Sequence, residues 1–445
     1  MDKDSNINWT NESVLAFAGN ADPIHKIKER SQDLVLKAQE TGWEGPPFNP
    51  TFIAEMLNAK IRANSSISDA RLIGSEAQPI IEFNPHQVRA RVRFSIAHEV
   101  AHLLFSDWHC RTRNRSGDRD SDDTWQLELL CNLAAAEFVL PIGSLTPNTQ
   151  IAPIEDLMQQ CCAYDVSVEA FFIRLVKVSA QPTIVFFASP RGDSDTSRSY
   201  RIDYFVASRN APAVHLSNRP VPDESVVTQC TAIGYTNRAE ESWVVGTRSL
   251  IECVGIPAYP GRTYPRVATL VGFQPTTSSL ASVEYFHGNV LTPRGDAPRI
   301  LCQLVNDQAG RWGGGVAKQM ASMYPDAESD FSLAIRAIPR DKRLGQVILT
   351  KVDEETTIAS LIAQEGYGKS MFPRIRYAAL ECCLDTLSEI ALTNGASVHM
   401  PRIGTGSAQG KWEVIEEILD DTLIRAGLTV NVYDSPPSKP KVELF

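Results

Sequence analysis

Residues 88–105 read VRARVRFSIAHEVAHLLF, an apolar run at helical spacing into which His98, Glu99 and His102 are set. Ionisable groups on a buried helix are costly unless they are paired or hold a metal. Any fold this chain adopts must therefore give that helix a partner for its polar groups. Residues i and i+4 share one helix face, so both imidazoles can reach one ion. Neutral imidazole nitrogen suits Zn2+, and a catalytic zinc keeps one position for water. Glu99, beside that face, can take the proton of that water. In a chain with eight histidines, such a match arises by chance in roughly one chain in a hundred. The pattern predicts a zinc site with His98 and His102 as ligands and Glu99 as the catalytic base.

A third protein ligand is needed. Glu128 is the first candidate, because WQLELLCNLAAAEFVLP (125–141) reads as the next helix. Glu137 on the same helix competes, and Asp122 and Asp123 before it compete more weakly. His109 and Cys110 follow the motif in SDWHCRTRNRSGDRDSDD (106–123), a polar stretch expected to be a surface loop.

The 445 residues point to two to four domains at about 150 residues each. An apolar share of 43% and a charged share of 22% are those of a globular chain and exclude collagen-like, coiled-coil and wholly disordered classes. No window approaches 18 uninterrupted apolar residues, so neither a membrane span nor a membrane partner is expected. MDKDSNINWTNE lacks the layout of a signal peptide. A net charge of -10 argues against nucleic acid held mainly by charge. Nine cysteines, including the adjacent pairs Cys161/Cys162 and Cys382/Cys383, fit reduced thiols in a cytoplasm.

Along the chain, helices are expected over 12–40, 51–61, 88–105 and 125–141, and as a pair over 154–179, with extended runs at Ala70–Ile73 and Pro79–Phe83. From Pro182 to about Phe273, short β-rich runs alternate with Pro, Gly, Ser and Asn. QPTTSS (274–279) reads as a linker. From 280 onward strands alternate with helices, the pattern of an α/β layer fold.

RVRFSIAHEVAHLLF followed by ELLCNLAAAEFVLP resembles the ImmA/IrrE family of metallo-endopeptidases, as do GPPFNPTFIAEML, ISDARL and PIIEFNP upstream. The resemblance covers about residues 8–180. It implies that His98, His102 and Glu128 bind zinc and that Glu99 is catalytic. It also implies zinc-dependent cleavage of a protein, such as a repressor, toxin or defence protein, in stress response, mobile-element control or phage defence. The helices at 154–179 resemble the helix-turn-helix-like part of such proteins. Being not notably basic, they read instead as a packed pair.

Two glycine loops stand out in the last third. VNDQAGRWGGGVAKQM (305–320) sets three glycines before a helix, and VHMPRIGTGSAQGKW (398–412) sets two after a strand. Glycine lets backbone N–H groups approach an anion, and a helix N-terminus favours negative charge. Two such loops at strand ends can form a diphosphate crevice. Walker-type nucleotide hydrolysis is not expected, because GxxxxGK[ST] is absent. These loops, with VEYFHGNVLTP (283–293), resemble a macrodomain, an ADP-ribose-binding module. The likeness extends to the subtype found in the poly(ADP-ribose)-activated chromatin remodeller. It covers about 280–435. It implies adenine-side contacts from Asn289 and Val290, distal-ribose contacts from Asn306 and Asp307, and diphosphate contacts from two loops. The first loop is Gly313, Gly314, Gly315 and Val316; the second is Gly404, Thr405 and Gly406. Asn289 stands where many macrodomains have Asp, which throws adenine recognition onto backbone groups such as Val290. The Lys and Asp of the related terminal-glutamate hydrolases would fall near Gln364 and Ala408, where both are missing. A reader of ADP-ribose is therefore expected. Asp307 keeps the alternative open, an ADP-ribosyl hydrolase or antitoxin.

The expected architecture is multidomain, α+β and α/β: a helical zincin-like metallopeptidase domain with helical extension at 1–180, a β-rich middle region at 181–275, and a three-layer α/β/α macrodomain at 280–440. The expected partners are a protein substrate and ADP-ribose or an ADP-ribosylated protein. IPAYPGRTYPRVA (256–268), in the middle region, reads as a protein contact or as a loop packing its own aromatics.

Overall fold

The computed structural model describes residues 7–75, 78–109, 113–114, 123–145, 152–191, 199–212, 214–244, 246, 248–259, 262–273, 281–295 and 297–434. Cys110, Asp122 and the expected linker at 274–279 lie outside them. The chain forms two compact units, Met1–Ala38 with Trp43–Thr277, and Gln39–Gly42 with Ser278–Phe445.

The first unit begins with helices α1 (Glu12–Ala18), α2 (Pro23–Glu40) and α3 (Pro50–Met56). Strands β1 (Lys60–Ala63), β2 (Ala70–Ser75) and β3 (Gln78–Phe83) follow, then α4 (Arg89–His102), β4 (Arg113–Asn114) and α5 (Thr124–Val139). The helix expected over 51–61 ends early. Asn58 takes a left-handed φ of 58°, which ends the helix, and Lys60–Ala63 instead pairs in parallel with β3. The sheet order is β1-β3-β2-β4. Glu82 of β3 ties it together: its carboxylate accepts hydrogen bonds from Arg62 of β1 (2.9 Å from Nε), Arg71 of β2 (2.9 Å) and Asn64 (2.9 Å). Helix α4 packs on β2, β3, α3 and α5, and every residue from Ser95 to His102 is buried. Asp69, just before β2, anchors this helix by accepting from Arg91 (2.9 Å) and from the Ser95 hydroxyl (2.6 Å).

Helices α6 (Ile154–Tyr164) and α7 (Val168–Val178) lead into an antiparallel sheet of β5 (Thr183–Arg191), β6 (Ser199–Ala207), β7 (Thr236–Glu241), β8 (Ser249–Ile256) and β9 (Arg266–Gly272), ordered β6-β5-β9-β8-β7. Strand alternation gives this sheet two apolar faces. Val185, Phe187, Val254, Ala268 and Leu270 meet Leu157, Phe171, Phe172 and Val176 of the two helices. Ile184, Phe186, Ile251, Cys253 and Val271 face the other way, under Leu216, Val221, Val227 and Cys230. The helix pair and the β-rich region thus share one core. The stretch at 256–268 packs its own aromatics: Arg266 lies 3.8 Å from the Tyr259 ring centroid and is paired with Glu169 at 2.6 Å.

The second unit runs β10 (Val283–His287), β11 (Arg299–Asn306), α8 (Gly315–Met323), α9 (Pro325–Ala337), β12 (Val347–Lys351), β13 (Thr356–Gln364), α10 (Tyr377–Asn394), β14 (Ser397–Pro401), α11 (Trp412–Leu419) and β15 (Val430–Asp434). The sheet order is β10-β15-β14-β11-β13-β12, parallel except for β12. Leu301, Val305, Ile358 and Ile362 pack against Met320, Phe331 and Ile335 of α8 and α9. The alternate residues Ile300, Cys302, Ala359 and Leu361 are also buried, on the face that α10 covers. The result is a three-layer α/β/α sandwich, as the alternating pattern predicts. Continuous apolar strands such as RILCQLVN mark a sheet buried on both faces.

Hydrogen bonds from Asn64, Arg62 and Arg71 hold the Glu82 carboxyl down to about 2. A depressed carboxyl contributes stability above its unfolded value near 4.3 and loses it as pH falls toward 2. Thermal midpoints measured from pH 5 to pH 2 should fall steeply for the native chain and more gently for Glu82→Gln, which starts lower at pH 7.

Candidate functional site

The first candidate site is built where α4 crosses α5. His98 and His102 are one helical turn apart, with ring centroids at 5.0 Å, and both are buried. The side chain of His98 is fixed from behind. Its Nδ1 lies 3.0 Å from Asn132 Oδ1. An amide oxygen only accepts, so Nδ1 carries the proton and Nε2 presents a lone pair. That lone pair faces Glu128 Oε2 at 3.0 Å, and His102 Nε2 faces Glu128 Oε1 at 3.6 Å. Behind His102, Cys131 Sγ lies 3.3 Å from Nδ1.

Two acceptors at this range repel unless a proton or a cation lies with them. Tetrahedral zinc with bonds of ~2.05 Å spaces its ligand atoms about 3.3 Å apart, which matches the separations of the two imidazoles from Glu128. The donor set of two neutral imidazoles and one carboxylate therefore fits zinc. Glu99 is fully buried, and a carboxylate oxygen of it also comes within 4.8 Å of both histidine nitrogens. Of the two carboxylates, Glu128 has the ligand geometry. It lies opposite both rings and engages one with each oxygen, whereas Glu99 is carried on the same turn as His98.

The competing acids are turned elsewhere. Glu137 Oε1 accepts the Ile142 N–H at 2.7 Å and caps the end of its own helix. Asp123 accepts from the Thr10 hydroxyl at 3.2 Å. The His109 ring lies against Trp108. Sequence reasoning missed Asn132, one turn beyond Glu128, and Cys131 beside it. The signal for both was their place beside Glu128 on α5, which directs them at the same pair of rings.

The second candidate site lies at one edge of the α/β/α unit. Strands β10, β11, β13 and β14 are parallel, so the loops leaving their C-terminal ends open at the same edge. Asn289 and Val290 follow β10, Asn306 ends β11, and Gly404 follows β14. Gly314 is the N-cap of α8, with no side-chain cap. The first N–H groups of a helix have no partner within it. A Cβ added at Gly313, Gly314, Gly315 or Gly406 would meet open space. Val316 packs at the rim of the adjoining core.

Gly315 and Gly404 both have left-handed φ values, +54° and +77°, but Gly404 is also crowded: a Cβ there would sit 2.7 Å from Ile375 and 3.0 Å from Ile415. The Gly410 N–H donates to Gly404 O at 2.8 Å and closes the loop, and a Cβ on Gly410 would come within 2.9 Å of that oxygen. Gly410 is a second position that sequence reasoning missed. The Thr405 hydroxyl donates to Arg402 O at 2.8 Å.

The remaining predicted residues have local duties. Asn289 Oδ1 accepts the Leu291 N–H at 3.0 Å, and Val290 is buried. Asn306 Oδ1 accepts the Gln308 N–H at 3.0 Å. Asp307 Oδ1 accepts the Gly366 N–H at 2.7 Å, which joins the loops after β11 and β13. Gln364 donates to Gly366 O, and Ala408 is buried.

The chain is similar to known proteins over parts of its length. Residues 54–175 match the profile of the Peptidase_M78 family, the IrrE N-terminal-like domain. The chain is 27% identical over 171 residues to a chromodomain-helicase-DNA-binding protein 1-like of Danio rerio, covering 37% of this chain and 16% of that protein. It is 44% identical over 52 residues to the ADP-ribose 1''-phosphate phosphatase of Saccharomyces cerevisiae, covering 12% of this chain and 28% of that one. Among solved structures, a macrodomain protein from Streptomyces coelicolor is 29% identical, covering 34% of this chain and 99% of that chain with a TM-score of 0.30. The chain thus spans under a third of the curated relatives it matches. One region of the chain matches the Peptidase_M78 profile, and part of the chain is similar to the relatives just named.

Partners behind a metal-binding histidine set its orientation and basicity. Asn132→Ala should weaken zinc binding about 10–100-fold while the chain keeps its far-ultraviolet circular dichroism. Competition with a chromogenic chelator measures the change.

Proposed function

We propose that the first unit is a zinc-dependent endopeptidase and that the second binds ADP-ribose or an ADP-ribosylated protein. The binding module would target or regulate the cleavage. The observation that carries the peptidase reading is the facing of His98 Nε2 and His102 Nε2 toward the two oxygens of Glu128. A structural site has no use for a further acid beside the ligands, and Glu99 is buried there.

His98, His102 and Glu128 would hold zinc, which would supply Lewis acidity for water and for the peptide carbonyl. Glu99 accepts a proton from the attacking water and returns it to the departing amine nitrogen. Asn132 keeps His98 in the tautomer whose Nε2 is free to ligate.

For the second unit, the uncapped N-terminus of α8 offers backbone N–H groups to an anion, and the Gly404–Gly410 loop stands at the same edge. The yeast relative, whose printed name carries ADP-ribose 1''-phosphate chemistry, supports this reading. Asp307 anchors a loop through Gly366, which favours binding over ADP-ribosyl hydrolysis. The substrate is a protein such as a repressor, toxin or defence protein, and the setting is bacterial stress response or antiviral defence.

Glu99→Gln should retain zinc and lose at least about 100-fold of peptide cleavage, assayed on candidate substrate proteins with and without ADP-ribose. Cleavage by this variant at the native rate would remove the peptidase reading. Calorimetry with ADP-ribose should give a binding isotherm for the native chain. Gly314→Val, whose side chain enters open space, should abolish that isotherm while leaving the thermal midpoint unchanged.

A further inference from the structure

We propose that Cys230 and Cys253 form a dithiol that a peroxide oxidises to a disulfide, a modification site in the antiparallel sheet of the first unit. The two sulfurs lie 3.2 Å apart, although 22 residues separate them in sequence. A disulfide bond is about 2.05 Å long, so closure asks for about 1 Å of movement. Both thiols are fully buried, in the apolar layer formed by Ile184, Phe186, Val227 and Ile251. The adjacent pairs differ: Cys161 is buried and Cys162 exposed, and Cys383 is buried and Cys382 exposed, so in each pair one thiol faces the core and the other faces solvent.

The backbone holds the two cysteines in register. The segment after Cys230 is laid along β8, with the Gly234 N–H on Gly255 O at 2.8 Å and the Gly255 N–H on Tyr235 O at 2.9 Å. Contact is so close that a Cβ on Gly255 would lie 2.0 Å from Ala232 O. The covering segment is one chain thick and carries exposed Ile233 and Tyr235. A molecule the size of hydrogen peroxide needs only a local opening there to reach the sulfurs.

The two thiols are not equivalent. Cys253 has carbonyl acceptors in Asn237 O at 3.4 Å and Val226 O at 3.7 Å. The hydrogen bond between the sulfurs lowers the Cys230 thiol and, together with burial, raises that of Cys253. Either sulfur can attack first with the same product, and Cys230 serves for the first step. Its thiolate displaces hydroxide from hydrogen peroxide, breaking the O–O bond and forming a sulfenic acid; the hydroxide leaves as water with the Cys230 proton. Cys253 sulfur then attacks the sulfenic sulfur, the S–O bond breaks, and a second water leaves with the Cys253 proton. Two thiols lose two electrons, and one peroxide becomes two waters.

The new bond would staple the segment around Cys230 to β8. On the opposite face of the same strand, Glu252 accepts the N–H of Ile154, the first residue of α6, at 2.6 Å. Oxidation thus fixes the strand on which α6 is seated.

The full chain is reduced, desalted, exposed to hydrogen peroxide, blocked with N-ethylmaleimide in denaturant and digested. The expected result is one peptide linking Cys230 to Cys253, separated again by a reductant. The oxidised chain should also melt about 5 °C above the reduced one, a difference that disappears in Cys230→Ala and Cys253→Ala. Recovery of both cysteines as maleimide adducts, or linked to other thiols, overturns the proposal. Peptide mapping uses the native chain, so it decides the matter even if either variant fails to fold.

Discussion

Two imidazoles and a carboxylate meet where α4 crosses α5. His98 and His102 present ring nitrogens to the two oxygens of Glu128; both rings are buried and the carboxylate is half-buried. That arrangement is unfavourable without a cation or a proton to share. Much of the surrounding structure serves to hold it. Asp69 anchors α4 through Arg91 and Ser95, Asn132 fixes the ring of His98, and the small residues Ala134 and Ala135 are buried in α5. The sheet beneath is tied in turn by Glu82. Polar networks of this kind hold a unique geometry when every member has its partner.

The candidate metal site was legible in the sequence because the pattern that suggests it is local. Two histidines and a glutamate within five residues of one helix place their own side chains, and Glu128 lies on the next helical pattern. The partners Asn132 and Cys131 were harder to read, since an Asn or Cys on a helix has many uses and only the crossing of α4 over α5 assigns one. The end of α3 was misread for a related reason. TFIAEMLNAKI keeps helical spacing through residue 61, but Asn58 adopts a left-handed conformation and the residues beyond pair with β3. Strand pairing is non-local, so periodicity alone does not register it.

The α/β unit was legible in outline from its alternation of apolar strands and helices. Its glycines separate into two kinds only in three dimensions. Gly313, Gly314, Gly315 and Gly406 border open space, whereas Gly404 and Gly410 are required by what surrounds them. The meeting of Cys230 with Cys253 left no mark in the sequence, where the cysteines are scattered singly and in adjacent pairs.

The loop from Gly404 to Gly410 is shaped by what it excludes. Ile375, Ile415 and the Gly404 carbonyl leave no volume for a methyl group, and the Gly410 N–H locks the loop closed. Its conformational entropy is therefore surrendered when the chain folds, before any ligand arrives. A guest at this edge meets a receptor that is already ordered, so association should involve little rearrangement. Differences in affinity among related guests should then appear chiefly in how long each one stays.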